Sequence, residues 1–498
     1  MARLHPSLYN KEFTYQDITL IPNRLPDFDR DSVDLSTNFT KHIILKTPIV
    51  ASPMDTVCGA EMAILLALFG GIGVIHYNYS TIEEQIEEAK KVKKFEAGFV
   101  FDPVVLSPRA KVADVFSLSE KYGFFSFPIT EDGTLNSKLV GIVTHRDVRY
   151  HQDMEAKLGK VMTPKEKLIV ASKKDTVDKN DLKFANKILK KNNLDTLPII
   201  DKEGRIAAIV TDSDMNKNEI YPLATKDDNK QLRVFIAVES RINLAKERIK
   251  QAVGAGVDGI IIDSSVVFCE QLEIAKWAKE YFPKLEIVIG NLVSGKIAMK
   301  IIKEVGKCCD ALRVGIGPGA ACVTQEEMGT GRIQASAVWE CVRAVKNSSR
   351  IPIIADGGIR IIDDPTEDFL RPGDITKALA LGAQTVMMGS ILAGFDEAPG
   401  EKEFDYEENR MVKKYRGMGS FEAMEKRGGV RYGIEKEKIK VAEGKVIKVP
   451  YRGSGYDFLP RLIAGVKQSF QKQGFKNIKE LQKFAEIKPL FLTKKDKN

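Results

Sequence analysis

The sequence predicts an α/β fold in which a (β/α)8 barrel is interrupted by a second, smaller domain. Eight apolar runs of strand length recur along the chain, and a helical pattern follows each of them. The second run ends at His76 and the third begins at Val234, which is too long a gap for a single crossover helix. The sequence inside this gap contains an internal repeat, which indicates a domain of its own.

The eight runs are continuous and rich in β-branched residues, as is typical of strands buried on both faces. They are Pro48–Pro53, Gly71–His76, Val234–Val238, Gly259–Asp263, Glu286–Gly290, Ala311–Gly315, Pro352–Ala355 and Thr385–Gly389. Helical patterns such as Ala245–Ala252 and Ser294–Val305 lie between them. Eight strand-plus-helix units favour a closed parallel barrel, and an open doubly wound sheet is the alternative.

The repeat lies in two segments that share a strand, a turn and a second strand. Phe127-Pro-Ile-Thr-Glu-Asp-Gly matches Leu197-Pro-Ile-Ile-Asp-Lys-Glu-Gly, and Thr144 in the first copy matches Thr211 in the second. We therefore predict a tandem domain at 104–218, between barrel segments 1–103 and 219–498. The aspartate of each Ile-Val-Thr-x-x-Asp motif suits a helix cap, whatever else it binds.

Composition excludes several classes of function. The net charge of +8 is spread along the chain, so we expect solvated helix faces and no nucleic-acid partner. The six cysteines form no CxxC pair, and no histidine cluster accompanies them, which disfavours a disulfide framework or a zinc site. No signal-peptide core or apolar run of about 20 residues is present, so we expect a cytoplasmic protein without a membrane segment.

A glycine-rich loop ends in a cysteine and provides the main candidate for chemistry. The stretch from Leu312 to Thr324 reads Leu-Arg-Val-Gly-Ile-Gly-Pro-Gly-Ala-Ala-Cys-Val-Thr. Alternate glycines allow positive φ angles and let the backbone approach a ligand. Cys322 at the end of this loop is a candidate nucleophile, and a structural cysteine after a turn is the alternative.

Small polar residues follow the other predicted strands, where a parallel barrel places its ligands. The groups are Ser52 to Asp55, His76 with Asn78, Asp263 to Ser265, Gly290 with Asn291, Asp356 to Gly358, and Gly389 with Ser390. Backbone amides after the last two strands suit a phosphate group. Asp356 suits a ribose diol, since one carboxylate accepts two hydroxyl donors, and a turn aspartate capping the next helix is the alternative.

The segment 395–455 has no barrel strand left to form, and its charged, glycine-rich sequence is typical of a mobile lid. It contains Arg431 and Tyr432. Arginine is an unusual general base because its guanidinium is almost always protonated. A solvated lid charge is therefore the alternative interpretation of Arg431.

The order of these motifs resembles the inosine-5′-monophosphate (IMP) dehydrogenase family over nearly the whole chain. The loop from Leu312 to Thr324 matches that family's pattern, as do Ser52-Pro-Met-Asp, Asp356-Gly-Gly, Gly389-Ser, Tyr415-Arg-Gly-Met-Gly and Glu443-Gly. The resemblance implies NAD-dependent oxidation of IMP to xanthosine monophosphate, the committed step of guanine nucleotide synthesis. Cys322 would add to carbon 2 of the purine and form a covalent thioimidate as hydride leaves for NAD.

The resemblance also implies a role for each matching residue. Arg431 would act as the base in a closed lid, helped by Tyr432 and Thr324. Implied substrate contacts are Ser52, Met54, Asn291, Asp356, Gly357, Gly358, Gly389, Ser390, Tyr415, Arg416, Gly417, Met418, Gly419 and Glu443. Implied NAD contacts are Asp263, Ser264, Ser265, Gly315, Ile316 and Gly317. Main-chain carbonyls of Gly317, Gly319 and Cys322 would bind a potassium ion.

The insert resembles tandem cystathionine-β-synthase (CBS) repeats, which bind adenosine or guanosine nucleotides. That resemblance implies ATP or GTP as regulatory ligands. The resemblance of the whole chain to the IMP dehydrogenase family implies a homotetramer, and whether two tetramers stack into an octamer is left open. Which nucleotide binds, and with what effect, is left open by the sequence.

The chain departs from the family's pattern at three places. Ala320 stands where the family usually has a phosphate-binding serine, and Ile361–Pro372 inserts about ten residues, several of them acidic. The chain ends at Asn498, without the longer tail that in the family lends carbonyls to a neighbour's potassium site. Potassium dependence is therefore left open.

Two rival functions remain at this stage. Guanosine monophosphate (GMP) reductases share the barrel, the cysteine and the phosphate site, but they typically carry a lid glutamate in place of Arg431-Tyr432. Most of them also lack the repeat insert. The second rival is a nucleotide sensor whose barrel no longer turns over, and joint retention of Cys322, Thr324, Arg431 and Tyr432 disfavours it.

Overall fold

A computed structural model describes residues 1–95, 99–101, 103–122, 124–179, 181–211, 220–346, 351–360, 371–425 and 441–490. The chain divides into two compact units. The first comprises Met1–Val92, Leu223–Thr225 and Arg233–Asn498, and the second comprises Lys93–Pro222 and Lys226–Leu232.

The first unit is built on eight parallel strands, numbered here β1 to β8 along the chain. They are β1 (Ile49–Ala51), β2 (Val74–Ile75), β3 (Phe235–Val238), β4 (Gly259–Ile262), β5 (Glu286–Leu292), β6 (Ala311–Val314), β7 (Ile353–Asp356) and β8 (Thr385–Met388). From β2 to β8 each strand pairs with its sequence neighbour, and β8 also pairs with β1. The ring closes between β1 and Ile72, because the Ala51 amide donates to the Ile72 carbonyl at 3.1 Å. The predicted barrel is therefore confirmed.

The barrel strands are buried on both faces, which is why their sequences are apolar without alternation. Their inward side chains meet in one core that also contains residues preceding β1. This core comprises Phe39, Ile43, Leu45, Val50, Ile72, Val74, Tyr77, Phe235, Ala237, Ile261, Val288, Ala311, Ile354 and Met387. The barrel interior is thus packed rather than hollow, and ligand space is confined to its ends.

Helices follow the strands, and we number the longer ones α1 to α8. They are α1 (Ala60–Leu68), α2 (Ile82–Phe95), α3 (Ile242–Gly254), α4 (Cys269–Tyr281), α5 (Gly295–Val305), α6 (Gln334–Val345), α7 (Gly373–Ala380) and α8 (Gly455–Gln473). Shorter α-helices are Thr324–Glu327, Ser390–Ala393, Phe421–Glu425 and Ile478–Phe484, and 3-10 turns are Pro6–Leu8, Tyr15–Asp17 and Arg30–Ser32.

Short strands surround the barrel in three further groups. Arg3–Leu4, Glu486–Pro489 and Ile18–Ile21 form one sheet, and Thr37–Asn38 pairs with Ile44–Leu45. Lys402–Asp405, Arg410–Arg416 and Val446–Pro450 form an antiparallel sheet. This last sheet lies in the segment predicted as a lid, so the described part of that segment has regular structure. Its motion stays a prediction.

The second unit contains two three-stranded sheets. One consists of Ser126–Thr130, Leu139–Thr144 and Thr163–Pro164, and the other of Ala171–Ser172, Thr196–Ile200 and Ile206–Thr211. Its α-helices are Val112–Tyr122, His145–Val148, Leu158–Val161 and Leu182–Asn192, with 3-10 turns at Lys165–Lys167 and Lys173–Asp175.

The two repeat copies form hairpins with the same register. Ser126 pairs with Thr144 in the first hairpin, and Thr196 pairs with Thr211 in the second. Both ladders shift register at the same relative position, next to Ile129 in the first and Ile199 in the second. Equivalent residues also meet across the pair, since Ser126 Oγ lies 2.7 Å from Thr196 Oγ1. The sequence repeat is thus a structural repeat packed about a local pseudo-twofold relation.

Two further expectations bear on the described residues. All six cysteines are unpaired, as the absence of a disulfide framework in the sequence predicts. Every helix in the described part of the chain is too short or too polar to cross a membrane.

Candidate active site

A cavity of about 790 Å³ opens at the carboxyl ends of the barrel strands. Its wall includes the residues that follow β5, β6, β7 and β8, together with Tyr415 and Glu443 from the segment after the last strand. Because all eight strands are parallel, their carboxyl ends share one rim, and the loops that follow them converge there.

The glycine-rich loop after β6 forms one side of the cavity. Gly315 and Gly317 have φ angles of +151° and +86°, a region that favours glycine. A Cβ on Gly315 would lie 2.2 Å from the carbonyl oxygen of Asp356, so no other residue fits there. Gly319 does not have a positive φ, and a Cβ there would lie 3.7 Å from that of Cys322. The expected positive φ is therefore wrong for Gly319, whereas close approach of its backbone to a ligand stays a prediction.

Backbone hydrogen bonds hold the cysteine end of this loop against the segment around Glu443. The Val323 amide donates to the Glu443 carbonyl at 3.0 Å, and the Lys445 amide donates to the Ala321 carbonyl at 2.8 Å. Cys322 thereby pairs with Gly444 in an antiparallel bridge. Two segments more than a hundred residues apart are thus fixed at the same edge of the cavity.

Side chains extend this contact into a hydrogen-bonded row. Cys322 Sγ lies 3.2 Å from Thr324 Oγ1, and that hydroxyl donates to Glu443 Oε2 at 2.9 Å. Such a row orients the thiol and provides a path along which a proton can pass to a carboxylate. Thiol, hydroxyl and carboxylate all line the cavity.

Cys322 differs in its surroundings from the buried cysteines. Burial raises the pKa of Cys309 and of Cys341 to about 12, so both stay protonated and unreactive. Cys322 is partly exposed and faces the cavity. It is therefore the cysteine with access to a ligand at the carboxyl ends of the strands.

A buried arginine of the cavity wall connects two carboxylates. Arg313 Nη1 lies 2.6 Å from Asp263 Oδ1, and its Nη2 lies 2.8 Å from Asp356 Oδ2. Asn291 Nδ2 also donates to Asp356 Oδ2, at 3.0 Å. The Asp356 carboxylate is thus held in one orientation by donors from two residues, Arg313 and Asn291, while its cavity side stays available to a ligand.

The opposite end of the cavity is lined by glycine backbone and hydroxyl groups. Gly358, Gly389, Ser390 and Tyr415 all contribute to the wall there. A Cβ on Gly389 would lie 2.7 Å from Tyr415 Oη, so the tyrosine hydroxyl comes close to this backbone. Burial, followed by the negative charge of Asp356, raises the pKa of Tyr415, which keeps its hydroxyl a hydrogen-bond donor.

Comparison with known proteins agrees with this arrangement. Residues 12–493 match the family model described as the IMP dehydrogenase / GMP reductase domain. Inosine-5′-monophosphate dehydrogenase of Schizosaccharomyces pombe is 42% identical over 476 residues, covering 94% of this chain and 86% of the relative. That of Aquifex aeolicus is 39% identical, covering 95% of this chain and 92% of the relative.

The chain belongs to the IMP dehydrogenase / GMP reductase family. A solved structure of GMP reductase from Trypanosoma brucei in complex with guanosine 5′-monophosphate matches it with a TM-score of 0.85 and 28% identity. That match covers 97% of this chain and 96% of the other. A second structure of that reductase, in complex with guanosine 5′-triphosphate, has a TM-score of 0.78 and 26% identity.

These structures correct one argument drawn from the sequence. Presence of the repeat insert was expected to favour the dehydrogenase over the reductase. A reductase that aligns along nearly the full length of both chains includes a segment of comparable size. Presence of the insert therefore does not by itself exclude a reductase.

Most residues implied by the family resemblance line the cavity. These are Ser52, Met54, Ser265, Asn291, Gly315, Ile316, Gly317, Gly319, Cys322, Thr324, Asp356, Gly357, Gly358, Gly389, Ser390, Tyr415, Gly417, Met418 and Glu443. Ala320 lines it as well, with no hydroxyl to offer. Arg431 and Tyr432 lie outside the described residues, as does most of the inserted segment 361–372.

Four of the implied contacts lie away from the cavity wall, for identifiable reasons. Asp263 is occupied by the ion pair with Arg313. Ser264 is buried and hydrogen-bonds to Gln271 and the Val266 carbonyl. Arg416 binds Asp55, with Nη2 2.5 Å from Oδ2, and the Gly419 carbonyl accepts the Glu443 amide at 3.1 Å. These four residues position their neighbours and do not line the cavity.

Sequence reasoning missed Arg313, Gln334, Tyr15 and Arg360, all of which line the cavity. A charged residue inside the otherwise apolar strand β6 was a usable signal for Arg313, since such a side chain needs a buried partner. Gln334 donates from Nε2 to the Val314 carbonyl at 2.8 Å. Tyr15 reaches the cavity from the N-terminal segment, and no local pattern indicates this.

Proposed function

We propose that this chain is an IMP dehydrogenase, which oxidises IMP to xanthosine monophosphate with NAD+ and water. The observation that carries the proposal is the row of Cys322, Thr324 and Glu443 on the wall of the same cavity that contains Asp356. The names of the curated relatives, at 38–42% identity over most of the chain, support it.

The nucleotide would bind with its sugar over Asp356 and its phosphate among the last strand ends. The Asp356 carboxylate, held by Arg313 and Asn291, accepts the two ribose hydroxyls. Backbone amides at Gly358 and Gly389, together with the Ser390 hydroxyl, suit a phosphate and require no cationic side chain. Met418 and Glu443 then flank the purine, beside the cysteine.

The chain's own chemistry begins at the cysteine sulfur. The Cys322 thiolate adds to carbon 2 of the purine, and the C2–H electron pair leaves as hydride, giving a covalent thioimidate. NAD+ bound beside this wall supplies the hydride acceptor. Water then adds to carbon 2, the C–S bond breaks, and the thiolate is regenerated with release of a proton. Thr324 and Glu443 can carry that proton away from the site.

The residues next to Cys322 fit a nicotinamide cofactor in part. Ser265, Gly315, Ile316 and Gly317 line the same cavity as Cys322. Asp263 would act on the cofactor site through Arg313 instead of by contact. In the family, Arg431 and Tyr432 complete the second step, and we assign them that role here by the same resemblance.

We also propose a monovalent cation at the carbonyls of Gly317, Gly319 and Cys322. The Gly319 carbonyl accepts the Cys322 amide at 3.0 Å, which leaves its second lone pair for a cation. Backbone carbonyls are the ligands that replace the hydration shell of potassium. Turnover measured with potassium and then with sodium tests this proposal, and equal rates would contradict it.

The second unit is proposed to bind purine nucleotides such as ATP or GTP. Its two equivalent hairpins support this, because a duplicated motif presents two equivalent strand ends. In the first copy the Thr144 amide donates to Asp147 Oδ2 at 2.7 Å, so the helix cap inferred from the motif is present. Calorimetric titration with ATP and GTP, with light scattering to follow a tetramer or octamer, tests the regulatory and assembly proposals together.

One assay separates the dehydrogenase from its rivals. The purified chain is mixed with IMP and NAD+, and absorbance of NADH is followed, with Cys322→Ala as the control. We expect turnover that the Cys322→Ala variant lacks. Turnover only with GMP and NADPH would support a reductase instead, which the structural likeness to the Trypanosoma brucei enzyme favours. Failure of both reactions would support the remaining interpretation, a nucleotide sensor whose barrel does not turn over.

A further inference from the structure

Three potential metal ligands meet at the amino-terminal end of the barrel, opposite to the cavity. Glu286 is the first residue of β5, Asp310 directly precedes β6, and His42 lies in the turn between Thr37–Asn38 and Ile44–Leu45. One nitrogen or oxygen atom from each residue lies within 4.8 Å of the others. His42 Nδ1 is 2.8 Å from Glu286 Oε1.

The two carboxylates of this cluster are buried, whereas the imidazole is not. Glu286 and Asp310 are only 5% and 1% exposed, while the His42 side chain is 69% exposed. Glu286 Oε2 is buried and accepts no hydrogen bond from the described residues. A buried carboxylate oxygen without a donor is costly, so this atom calls for a cation or water.

One ammonium group partly neutralises the pair. Lys279 Nζ lies 2.8 Å from Asp310 Oδ2 and 4.0 Å from Glu286 Oε1. A single positive charge thus faces two carboxylates, and the cluster keeps one negative charge in excess when His42 is neutral. Lys279 Nζ also lies 3.4 Å from the Pro283 carbonyl, so the ammonium has another acceptor to move towards.

We propose that His42, Glu286 and Asp310 bind a zinc ion, and that Lys279 competes with the metal for the two carboxylates. Imidazole with carboxylate oxygens favours a borderline divalent cation such as Zn²⁺ over magnesium or calcium, which prefer oxygen alone. Ligand atoms about 2.1 Å from a tetrahedral metal lie roughly 3.4 Å apart, which small side-chain movements achieve here. Water completes the fourth position on the exposed side of His42.

The ion would fasten the segment preceding β1 to β5 and β6. The main chain already joins these parts, because the Lys41 amide donates to the Asp310 carbonyl at 3.0 Å. The site lies at the end of the barrel that takes no part in the proposed catalysis. Its test is therefore independent of the activity.

Zinc binding is measured on the full chain after removal of metal by a chelator. Zinc chloride is added in competition with a chromophoric chelator. We expect His42→Ala, an exposed position that tolerates truncation, to bind one equivalent fewer or at least about tenfold more weakly than the native chain. His151→Ala is the matched control, since it removes a partly exposed histidine outside the cluster and should change nothing.

Lys279→Met tests the competition. Removing the ammonium should strengthen zinc binding by about tenfold, because the metal no longer displaces a positive charge from Asp310. Substitution of cobalt(II) for zinc then identifies the ligands from the absorption spectrum. The cobalt ion that the native chain binds and His42→Ala does not should show weak d–d absorption. It should show no thiolate-to-cobalt charge-transfer band. Equal zinc affinities of the His42→Ala and native chains, or a thiolate charge-transfer band from that cobalt ion, would overturn the proposal.

Discussion

Replacement of Arg313 by methionine should destabilise the barrel more than any exposed arginine replacement. The Arg313 side chain is 3% exposed and lies between the carboxylates of Asp263 and Asp356, at 2.6 and 2.8 Å. Methionine is flexible enough to fill most of the same space, but it carries no charge. The variant therefore removes the cation and leaves most of the packing.

The expected cost follows from the burial of the two partners. Asp263 is fully buried, and removing one partner of a buried ion pair costs about 3–5 kcal/mol. Asp356 is 15% exposed and keeps the amide of Asn291, so its loss is smaller, about 1 kcal/mol. We expect Arg313→Met to lower the free energy of unfolding of the barrel by about 4 kcal/mol.

Urea denaturation followed by tryptophan fluorescence measures this loss of stability in the barrel unit. The chain has two tryptophans, Trp277 on α4 and Trp339 on α6, and both belong to the barrel. The fluorescence transition therefore reports the barrel and not the repeat unit. The midpoint should fall while the slope stays unchanged.

Arg241→Met is the matched control, because it makes the same substitution in a partly exposed pair with Glu270, at 3.0 Å. It should cost less than about 1 kcal/mol. The double variant Arg313→Met/Asp263→Asn should recover much of the loss, since the buried charge is gone. Equal costs for Arg313→Met and Arg241→Met, or no recovery in the double variant, would refute the reasoning.

Three further predictions concern two residues of the cavity wall, Ala320 and Gly315, and the ion pair between Asp55 and Arg416. Ala320→Ser should lower the KM for IMP about fivefold in steady-state assays, because a phosphate contact is worth about 1 kcal/mol. Gly315→Ala should abolish activity and lower the urea midpoint, because its Cβ would lie 2.2 Å from the Asp356 carbonyl oxygen. Burial opposes ionisation of Asp55, but the ion pair with Arg416 outweighs it and lowers the carboxyl pKa. Relative to Asp55→Asn, the native chain should therefore be more stable above about pH 4, an advantage that shrinks as pH falls through the folded-state pKa.

Each of these has a contrasting outcome. An unchanged KM in Ala320→Ser would mean that the hydroxyl does not reach the phosphate. Gly319→Ala controls for loop substitution and should be tolerated, since its Cβ would lie 3.7 Å from that of Cys322. A stability difference between native and Asp55→Asn chains that persists unchanged at pH 2 would contradict the ion-pair explanation.

The barrel could be predicted from sequence because its signal is local. A strand buried on both faces is apolar along its whole length, and each run can be recognised without its partners. The run Gly71–His76 shows the limit of that signal, since only Val74–Ile75 forms a strand. A Cβ on Gly71 would lie 2.5 Å from the Ile49 carbonyl oxygen, so the chain there packs against β1 instead of extending β2.

Which side chains face the ligand depended on contacts that sequence spacing does not reveal. Ser264 and Ser265 are adjacent and chemically identical, yet only Ser265 lines the cavity, because Ser264 is engaged by Gln271. In the sequence, Asp263 and Arg416 were as good candidates for ligand contacts as the residues that line the cavity. Both are occupied by partners of opposite charge instead.

By itself, the sequence determined the parallel barrel, the repeat within it, and the rim at which strand ends, glycines and Cys322 converge. Those features follow from the hydrophobic periodicity of each segment and from the order of the segments along the chain. Both can be recognised without knowing any contact of the folded protein. Only the tertiary structure decided that Arg313 joins carboxylates 50 and 43 residues away, and that Thr324 reaches Glu443. Such pairings exist only once the barrel closes, because a buried charge selects its partner by proximity in the folded chain.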